Sequence, residues 1–250
     1  MTTAIMPGCK PYSATNGPFG VLILHGFTGN PSSMRSLAER IAAEGFSVEL
    51  PRLPGHGTSV EDMMTTNWAD WSSAALDAFD ELEQRSNHVA VVGLSMGGGL
   101  TAYVGERRNV AGLVFINPVV MRPGDELVDG LQALIDSGME SFDSIGSDIK
   151  KEGSVEASYS ATPLRCVLSL FDGLVHVHQD LGQITAPSLL LSSREDHVVT
   201  SDNGDEIVAK SSGPVERIWL ENSYHVATID NDQEIVESSV VRFLHDLSKS

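Results

Sequence analysis

The hydrophobic positions of the chain form two patterns that alternate. Short apolar runs typical of buried strands occur at residues 20–26, 46–50, 88–93, 110–117, 188–192 and 215–220. Between these runs, apolar side chains recur at helical spacing, for example at Met34, Leu37, Ala38, Ile41 and Ala42. Strands that alternate with helices and are apolar on both faces predict a mostly parallel sheet flanked by helices. We therefore expect a doubly wound α/β fold.

One stretch interrupts this alternation. Between about residues 119 and 185 no run resembles a strand, and the apolar residues that stand out are at helical spacing: Leu127, Leu131, Leu134 and Ile135. Active sites of open α/β sheets lie at the carboxyl ends of the strands, and an insertion there would cover the site. We interpret residues 119–185 as a small helical cap and its return, within a single α/β domain that spans residues 1–250.

The charge of the chain indicates which classes of macromolecule it can bind. Sixteen basic residues against 34 acidic ones give a formal net charge of −18 and a sequence pI near 4.6. Such a balance repels phosphate backbones and anionic lipid surfaces over long range. We therefore expect no nucleic-acid partner.

Cysteine usage and the apolar segments bear on location. Cys9 and Cys166 are too few and too far apart for a disulfide framework or a metal cluster, so both are expected to be free thiols. The amino-terminal stretch lacks the basic start and apolar core of a signal peptide, and no apolar run approaches the roughly 20 residues of a membrane span. These features predict a cytoplasmic protein without an integral membrane segment.

The run "VVGLSMGGG" contains the first candidate for chemistry. Gly93-Leu94-Ser95-Met96-Gly97 fits G-x-S-x-G, a strand-to-helix turn that holds a nucleophilic serine in a strained, exposed conformation. A serine hydroxyl is a weak nucleophile at neutral pH, so it needs a base to take its proton and an acid to orient that base. The sequence should therefore supply a histidine and a carboxylate in the positions that this turn requires.

Both groups follow the serine in the order that such folds use, with the acid after a late strand and the histidine after the last one. Asp196 follows the run at 188–192, and His225 lies in the loop before the final helix. Glu195 directly precedes the favoured acid, so position alone leaves these two carboxylates open. The usual alternative acid position, at the end of the run at 110–117, holds Asn117 and is not expected to serve.

Hydrolysis of an acyl compound also needs backbone N–H donors for the oxyanion of the tetrahedral intermediate. One should come from the residue after the nucleophile, Met96, at the start of the helix. The second should come from the "HGFTG" loop after the early strand, where we favour Phe27 because glycines on both sides allow close approach of the backbone.

Five segments together identify a family resemblance over almost the full length: "LILHGFTG", "LPRLPGHGTS", "GLSMGG", "SREDHVV" and "SYHVATID". They resemble the bacterial carboxylesterase and monoacylglycerol lipase family of α/β-hydrolases. The resemblance implies a serine carboxylic ester hydrolase with a small cap. It would act without a cofactor on a small-molecule substrate, a short- to medium-chain ester or a monoacylglycerol. It assigns Ser95 as nucleophile, Asp196 as acid and His225 as base, with Phe27 and Met96 as oxyanion donors.

Several residues have a structural and a functional interpretation. The apolar cap residues Leu127, Leu131, Leu134 and Ile135 either pack in a core or line an acyl pocket. His25 is expected to shape the loop of residues 25–29, here called the oxyanion loop, and His56 to hold its own turn. His176 and His178 have no obvious third ligand, so no metal site is expected.

Other functions stay open. The same fold hosts thioesterases, other acyl hydrolases and acyltransferases, which only substrates distinguish. A hydrolase-fold binding protein without catalysis is disfavoured by the complete set of candidate groups, and failure to react with a fluorophosphonate would revive it.

Overall fold

The computed structural model of the protein describes residues 4–144 and 146–249. Its strands are β1 (Tyr12–Ala14), β2 (Phe19–Leu24), β3 (Ser47–Leu50), β4 (His88–Leu94), β5 (Gly112–Ile116), β6 (Ser141–Asp143), β7 (Ala161–Pro163), β8 (Ser188–Ser193) and β9 (Val215–Leu220). Its α-helices are α1 (Arg35–Ala43), α2 (Val60–Met63), α3 (Trp68–Glu83), α4 (Met96–Gly105), α5 (Asp125–Asp136), α6 (Leu164–Asp180), α7 (Asp202–Lys210) and α8 (Gln233–Leu247). Short 3₁₀ segments lie at Pro31–Met34, Leu181–Gln183 and Ala227–Ile229.

The main sheet has seven strands in the order β1-β3-β2-β4-β5-β8-β9. All neighbours are parallel except β1, which pairs antiparallel with β3 at the edge. The predicted mostly parallel sheet flanked by helices is confirmed. Strand β1 was not predicted, because three half-exposed residues carry too little pattern to reveal a strand.

The alternation of side chains along the strands builds a core on each face of the sheet. Strand β2 is buried at every position. Its Leu22 and Leu24 pack with residues of α3, α4 and α6, whereas Val21 and Ile23 pack with residues of α1 and α8 on the other face. Helix layers on both faces leave the carboxyl ends of the strands as the edge at which a ligand can enter.

Between β5 and β8 the chain adds α5, the β6–β7 pair and α6, and no described residue there joins the main sheet. Strands β6 and β7 form a small antiparallel sheet that the sequence pattern did not indicate, since each has only three residues. Helix α6 packs against α3, α4 and α5, with Leu174 and Val177 fully buried. Gly173 makes this packing possible, because a Cβ there would lie 2.2 Å from the ring of Trp68.

Candidate active site

Ser95 occupies a sharp turn between β4 and α4. Its backbone has φ 56° and ψ −119°, a conformation that a residue with a side chain adopts only at a cost of about 1–3 kcal/mol. The turn is held from both sides, because the Ser95 N–H donates to the Ile116 carbonyl at 3.0 Å and its carbonyl accepts from the Val119 N–H at 3.1 Å. The predicted strand-to-helix turn is therefore present, with the serine at the carboxyl end of a central strand.

The two glycines of the turn are required by close backbone approach. A Cβ on Gly93 would lie 2.0 Å from the Gly97 carbonyl oxygen, and one on Gly97 would lie 2.1 Å from the Leu24 carbonyl oxygen. Both contacts are with main-chain atoms, which cannot move aside as a flexible side chain would. The G-x-S-x-G spacing thus lets α4 start directly against β2 and β4.

Replacing Gly97 by alanine should destabilise the protein by about 1–3 kcal/mol or more, because the new methyl group overlaps backbone. Urea unfolding measures this loss. Gly130→Ala is the matched control: a Cβ there meets nothing within 4 Å, and alanine in the middle of α5 should stabilise by about 0.5–1 kcal/mol. Equal unfolding midpoints for Gly97→Ala and the wild type would contradict this explanation of the motif.

Asp196 and His225 meet across the ends of β8 and β9. His225 Nδ1 lies 2.8 Å from Asp196 Oδ2, and the two side chains are only 9% and 5% exposed. The other carboxylate oxygen accepts the N–H groups of Val198 at 2.9 Å and Val199 at 2.8 Å. Hydrogen bonds to both oxygens fix the orientation of the carboxylate and, through it, that of the imidazole.

Glu195, the alternative carboxylate, turns away from His225. Its Oε2 pairs with Lys150 Nζ at 2.9 Å, and the side chain is 56% exposed. The contact with Lys150 lowers the pKa of the Glu195 carboxyl. Of the two neighbours that the sequence left open, Asp196 is the one hydrogen-bonded to the histidine.

Asn117, at the end of β5, braces the histidine loop. Its amide donates to the His225 carbonyl at 2.8 Å and to Ser193 Oγ at 2.9 Å, and its carbonyl oxygen accepts the Ser193 N–H at 2.7 Å. The residue has φ 41°, a conformation that asparagine tolerates better than most side chains. At this position, where no catalytic acid was expected, the amide of Asn117 joins β8 to the loop that carries His225.

The loop after β2 approaches the serine. A Cβ on Gly26 would lie 3.4 Å from Ser95 Cβ, and Phe27 and Thr28 line the same cavity as Ser95. Met96 is the first residue of α4, and the first N–H groups of a helix have no partner within that helix. The structure therefore brings both predicted oxyanion residues, Phe27 and Met96, next to the serine.

Two buried histidines shape this loop. His25 Nε2 accepts the Leu53 N–H at 3.1 Å, and its Nδ1 lies 3.0 Å from the Gly26 carbonyl oxygen. His56 Nδ1 lies 2.9 Å from the Pro54 carbonyl oxygen. Burial lowers the pKa of His25 to about 3 and that of His56 to about 4, so both are neutral at physiological pH.

A cavity of about 300 Å³ contains Ser95 and His225 together. Most of its wall is apolar. The apolar residues come from the oxyanion loop, from the chain after β5, from β6 and from α6: Phe27, Val119, Phe142, Val167, Leu170 and Phe171. A groove of about 410 Å³ lies at the opposite end of the sheet, near Phe19 and His88, and has none of the candidate groups. The cavity beside Ser95 is thus the one suited to an apolar ligand that meets a nucleophile.

The four cap residues proposed for substrate contact are not part of the wall of this cavity. Leu131 and Ile135 pack against Leu164 and Val167, whereas Leu127 and Leu134 are 53% and 38% exposed. The apolar face of α5 packs against α6. Helical spacing identifies a face that needs a partner, but the partner here is another helix rather than the ligand.

Glu156 is one of the polar cavity residues that the sequence did not indicate. Burial raises the pKa of its carboxyl group, while a hydrogen bond from Ser33 and the nearby His225 ring act in the opposite direction. The side chain also lies over the oxyanion loop, since a Cβ on Gly29 would come 2.8 Å from its Oε1. No motif surrounds this residue, and only the fold places it beside the histidine.

Residues 4–144 and 146–249 contain neither a cluster of metal ligands nor a membrane-spanning helix. No three histidine, cysteine, aspartate or glutamate side chains of this part converge as metal ligands would. Within the same residues, every helix is too short or too polar to cross a lipid bilayer.

Comparison with known sequences identifies the class. Residues 21–238 match the alpha/beta hydrolase family, and the chain belongs to that family. This confirms the family resemblance that the five motifs indicated.

Two relatives align over nearly their whole length. The chain is 42% identical over 244 residues to a thermostable monoacylglycerol lipase of Bacillus sp. (strain H-257), covering 96% of this chain and 95% of that protein. It is 26% identical over 241 residues to a carboxylesterase of Bacillus subtilis (strain 168), covering 95% and 97%. Both relatives are ester hydrolases by name, which supports ester hydrolysis as the activity of this chain.

Solved structures agree with this classification. One, from work on the metagenome-derived lipolytic enzymes LipS and LipT, has a TM-score of 0.93 and 37% identity, and covers 97% of this chain and all (100%) of that one. The Paleococcus ferrophilus monoacylglycerol lipase has a TM-score of 0.73 and 18% identity, over 96% and 100% of the two chains. The second likeness is one of fold.

Proposed function

We propose that the chain hydrolyses carboxylic esters, monoacylglycerols above all, through an acyl-enzyme on Ser95. The observation that carries this proposal is the 2.8 Å pairing of Asp196 Oδ2 with Nδ1 of His225, a residue that lines the same cavity as Ser95. A serine, a histidine and a buried acid in this order are the parts that acyl transfer requires.

In the proposed mechanism, Ser95 Oγ attacks the ester carbonyl while His225 takes its proton. The N–H groups of Phe27 and Met96 stabilise the oxyanion of the tetrahedral intermediate. His225 then delivers the proton to the leaving alcohol, which leaves the acyl group on Ser95. Water then attacks this acyl-enzyme while His225 takes its proton, and the carboxylic acid product is released from Ser95 as the serine regains that proton. Asp196 holds the imidazole in the required tautomer and stabilises its positive form.

The walls of the cavity support a substrate with one apolar and one polar end. Phe142, Val167, Leu170 and Phe171 offer an acyl chain an apolar surface, and about 300 Å³ is at the small end for ligand sites. Glu156 adds a hydrogen-bond acceptor in the same cavity. A monoacylglycerol has a single acyl chain and two free hydroxyl groups, so it matches this combination better than a triacylglycerol does.

The test is a comparison of hydrolysis of mono-, di- and triacylglycerols and of p-nitrophenyl esters from acetate to palmitate. We expect the monoacylglycerol to be cleaved fastest among the acylglycerols. Cleavage of p-nitrophenyl esters without any monoacylglycerol hydrolysis would restrict the function to a general esterase. Cleavage of thioesters alone would contradict the proposal.

Glu156→Leu should raise KM for monoacylglycerol about 5- to 10-fold, because one hydrogen bond to a glycerol hydroxyl is lost. KM for p-nitrophenyl butyrate, which has no such hydroxyl, should change less than about twofold. Glu152→Leu, an exposed glutamate four residues earlier, is the matched control and should behave as wild type. An equal rise in KM for both substrates in Glu156→Leu would show that Glu156 does not contact the alcohol part of the substrate.

A cytoplasmic location stays a prediction. It is supported by Cys9 and Cys166, which are both free and buried. Cell fractionation followed by detection of the chain would test it, and recovery in the extracellular fraction would contradict it.

A further inference from the structure

Residues 146–160 lie between β6 and β7 within the cap and are here called the return segment. Its Asp148 lies outside the proposed catalytic triad but contacts the loop that carries His225 and the loop that carries Asp196. Asp148 Oδ2 accepts the backbone N–H of His225 and that of His197, each at 3.1 Å. Its Oδ1 lies 2.8 Å from His197 Nδ1. One carboxylate therefore joins the histidine loop after β9 to the acid loop after β8.

The main chain of Asp148 adds a further bond to the same loop. Its carbonyl oxygen accepts the Val226 N–H at 3.1 Å. His225 and Val226, which follow each other in sequence, thus both donate their backbone N–H groups to one cap residue. The position of the His225 backbone is set from the cap side as well as from the Asn117 side.

The return segment is anchored firmly enough to serve as a support. Asp230, 1% exposed, accepts the N–H groups of Lys150, Lys151 and Tyr224 at 2.8 Å each and that of Asn231 at 2.7 Å. Hydrogen bonds to both oxygens of this carboxylate fix its orientation. Lys150 and Lys151 follow Asp148 closely, so Asp230 fixes the segment next to the residue that holds His225.

The far end of the segment is fixed independently. The Tyr159 hydroxyl donates to the Gly55 carbonyl at 2.7 Å and accepts the Thr58 N–H at 2.9 Å. The Asn30 side chain donates to the Ala157 carbonyl. These contacts anchor the return segment at both ends to loops at the carboxyl ends of the strands, so it forms a well-supported wall of the site.

Asp148 is engaged as a charged acceptor. Burial would raise the pKa of its carboxyl, but the hydrogen bonds from the His197 ring and from the His197 and His225 N–H groups outweigh burial and lower it. Asp148 also lines the cavity, yet each of its oxygens already accepts at least one hydrogen bond. Removing the side chain would leave the partly buried His225 N–H without its acceptor, and the loop would have to shift to satisfy it.

We propose that Asp148 is a positioning residue, which sets the His225 backbone so that the imidazole meets Ser95. The inference rests on the proposed function, in which His225 is the base. Because a displacement of about 1 Å costs about 100-fold in rate, loss of this support should lower turnover far more than substrate binding.

The test compares the hydrolysis of p-nitrophenyl butyrate by Asp148→Ala, Asp148→Asn, His225→Ala and the wild type. Circular dichroism gives the folded fraction of each variant, and kcat is calculated per folded chain. Asp148→Ala should lower kcat about 10- to 100-fold with KM within about threefold. Asp148→Asn should recover most of this loss, since its amide oxygen can still accept the His225 N–H. Glu152→Ala, in the same segment and exposed, is the control and should match the wild type.

If Asp148→Ala does not fold, Asp148→Glu carries the test. It keeps the charge but moves the oxygens by one methylene group, and kcat should fall with KM retained. An unchanged kcat in the folded Ala or Glu variant, or a rise confined to KM, would overturn the positioning role. Full activity in His225→Ala would overturn the proposed function as well, whereas an inactive His225→Ala beside unchanged Asp148 variants would overturn only this inference.

Discussion

Ser95→Ala is expected to lower kcat for p-nitrophenyl butyrate and for monoacylglycerol by about 10⁴- to 10⁶-fold, because the acyl group then has no acceptor on the protein. The residual rate should come from binding and the oxyanion donors alone. The fold should survive, since alanine keeps the Cβ that already occupies the strained turn and removes only the hydroxyl. Circular dichroism and thermal unfolding would verify this.

Ser95→Ala has a matched control in Ser188→Ala. Ser188 is also buried, but it is the first residue of β8, where its hydroxyl donates to the Ala186 carbonyl. In the part of the chain that the structure describes, it contacts none of the loops of the proposed site, so its loss should affect stability more than the chemical step. A Ser95→Ala enzyme that retains a tenth or more of the wild-type rate would exclude Ser95 as the nucleophile.

Asp196→Asn is expected to lower kcat by about 10⁴-fold, as a change of acid to amide does in a serine protease triad. The amide would favour the wrong tautomer of His225, whose Nδ1 lies 2.8 Å from Asp196 Oδ2. The backbone contacts of Asp196 with Val198 and Val199 can persist through the remaining oxygen, so the loop should keep its shape.

Glu195→Gln is the natural control, because it makes the same chemical change one position earlier. Its carboxylate pairs with Lys150 and is more than half exposed, so the rate should stay within about threefold of wild type, as exposed ion pairs contribute little. Steady-state kinetics of the two variants decide between the neighbours. A larger loss in Glu195→Gln than in Asp196→Asn would reverse the assignment.

The sequence predicted the features that depend on local pattern. Apolar runs revealed the central strands, and the glycines around Ser95 revealed its turn, because each reflects a demand on neighbouring residues. Asp196 and His225 each follow one of the last two strands of the main sheet, so the sequence predicted that both lie at the carboxyl edge of the sheet. The adjacency of Asp196 to Glu195 left the choice of acid open, and only the directions of these two side chains could decide it.

The features that depend on long-range contact were not predictable in this way. Asp148 and His225 are 77 residues apart, and nothing in either local sequence indicates their hydrogen bond. Glu156 likewise enters the cavity because the return segment is pinned at both ends. The apolar face of α5 was visible in the sequence, but its partner, α6, was not. Strands β6 and β7 are too short to leave a period-two pattern.

The central claim, a covalent acyl-enzyme on Ser95, is tested most directly by mass spectrometry after a rapid acid quench of the reaction with p-nitrophenyl butyrate. The account predicts one added butyryl group per chain, located on the peptide that contains Ser95 and absent from Ser95→Ala. Continued hydrolysis with no acylated chain, or with the butyryl group on another residue, would contradict it.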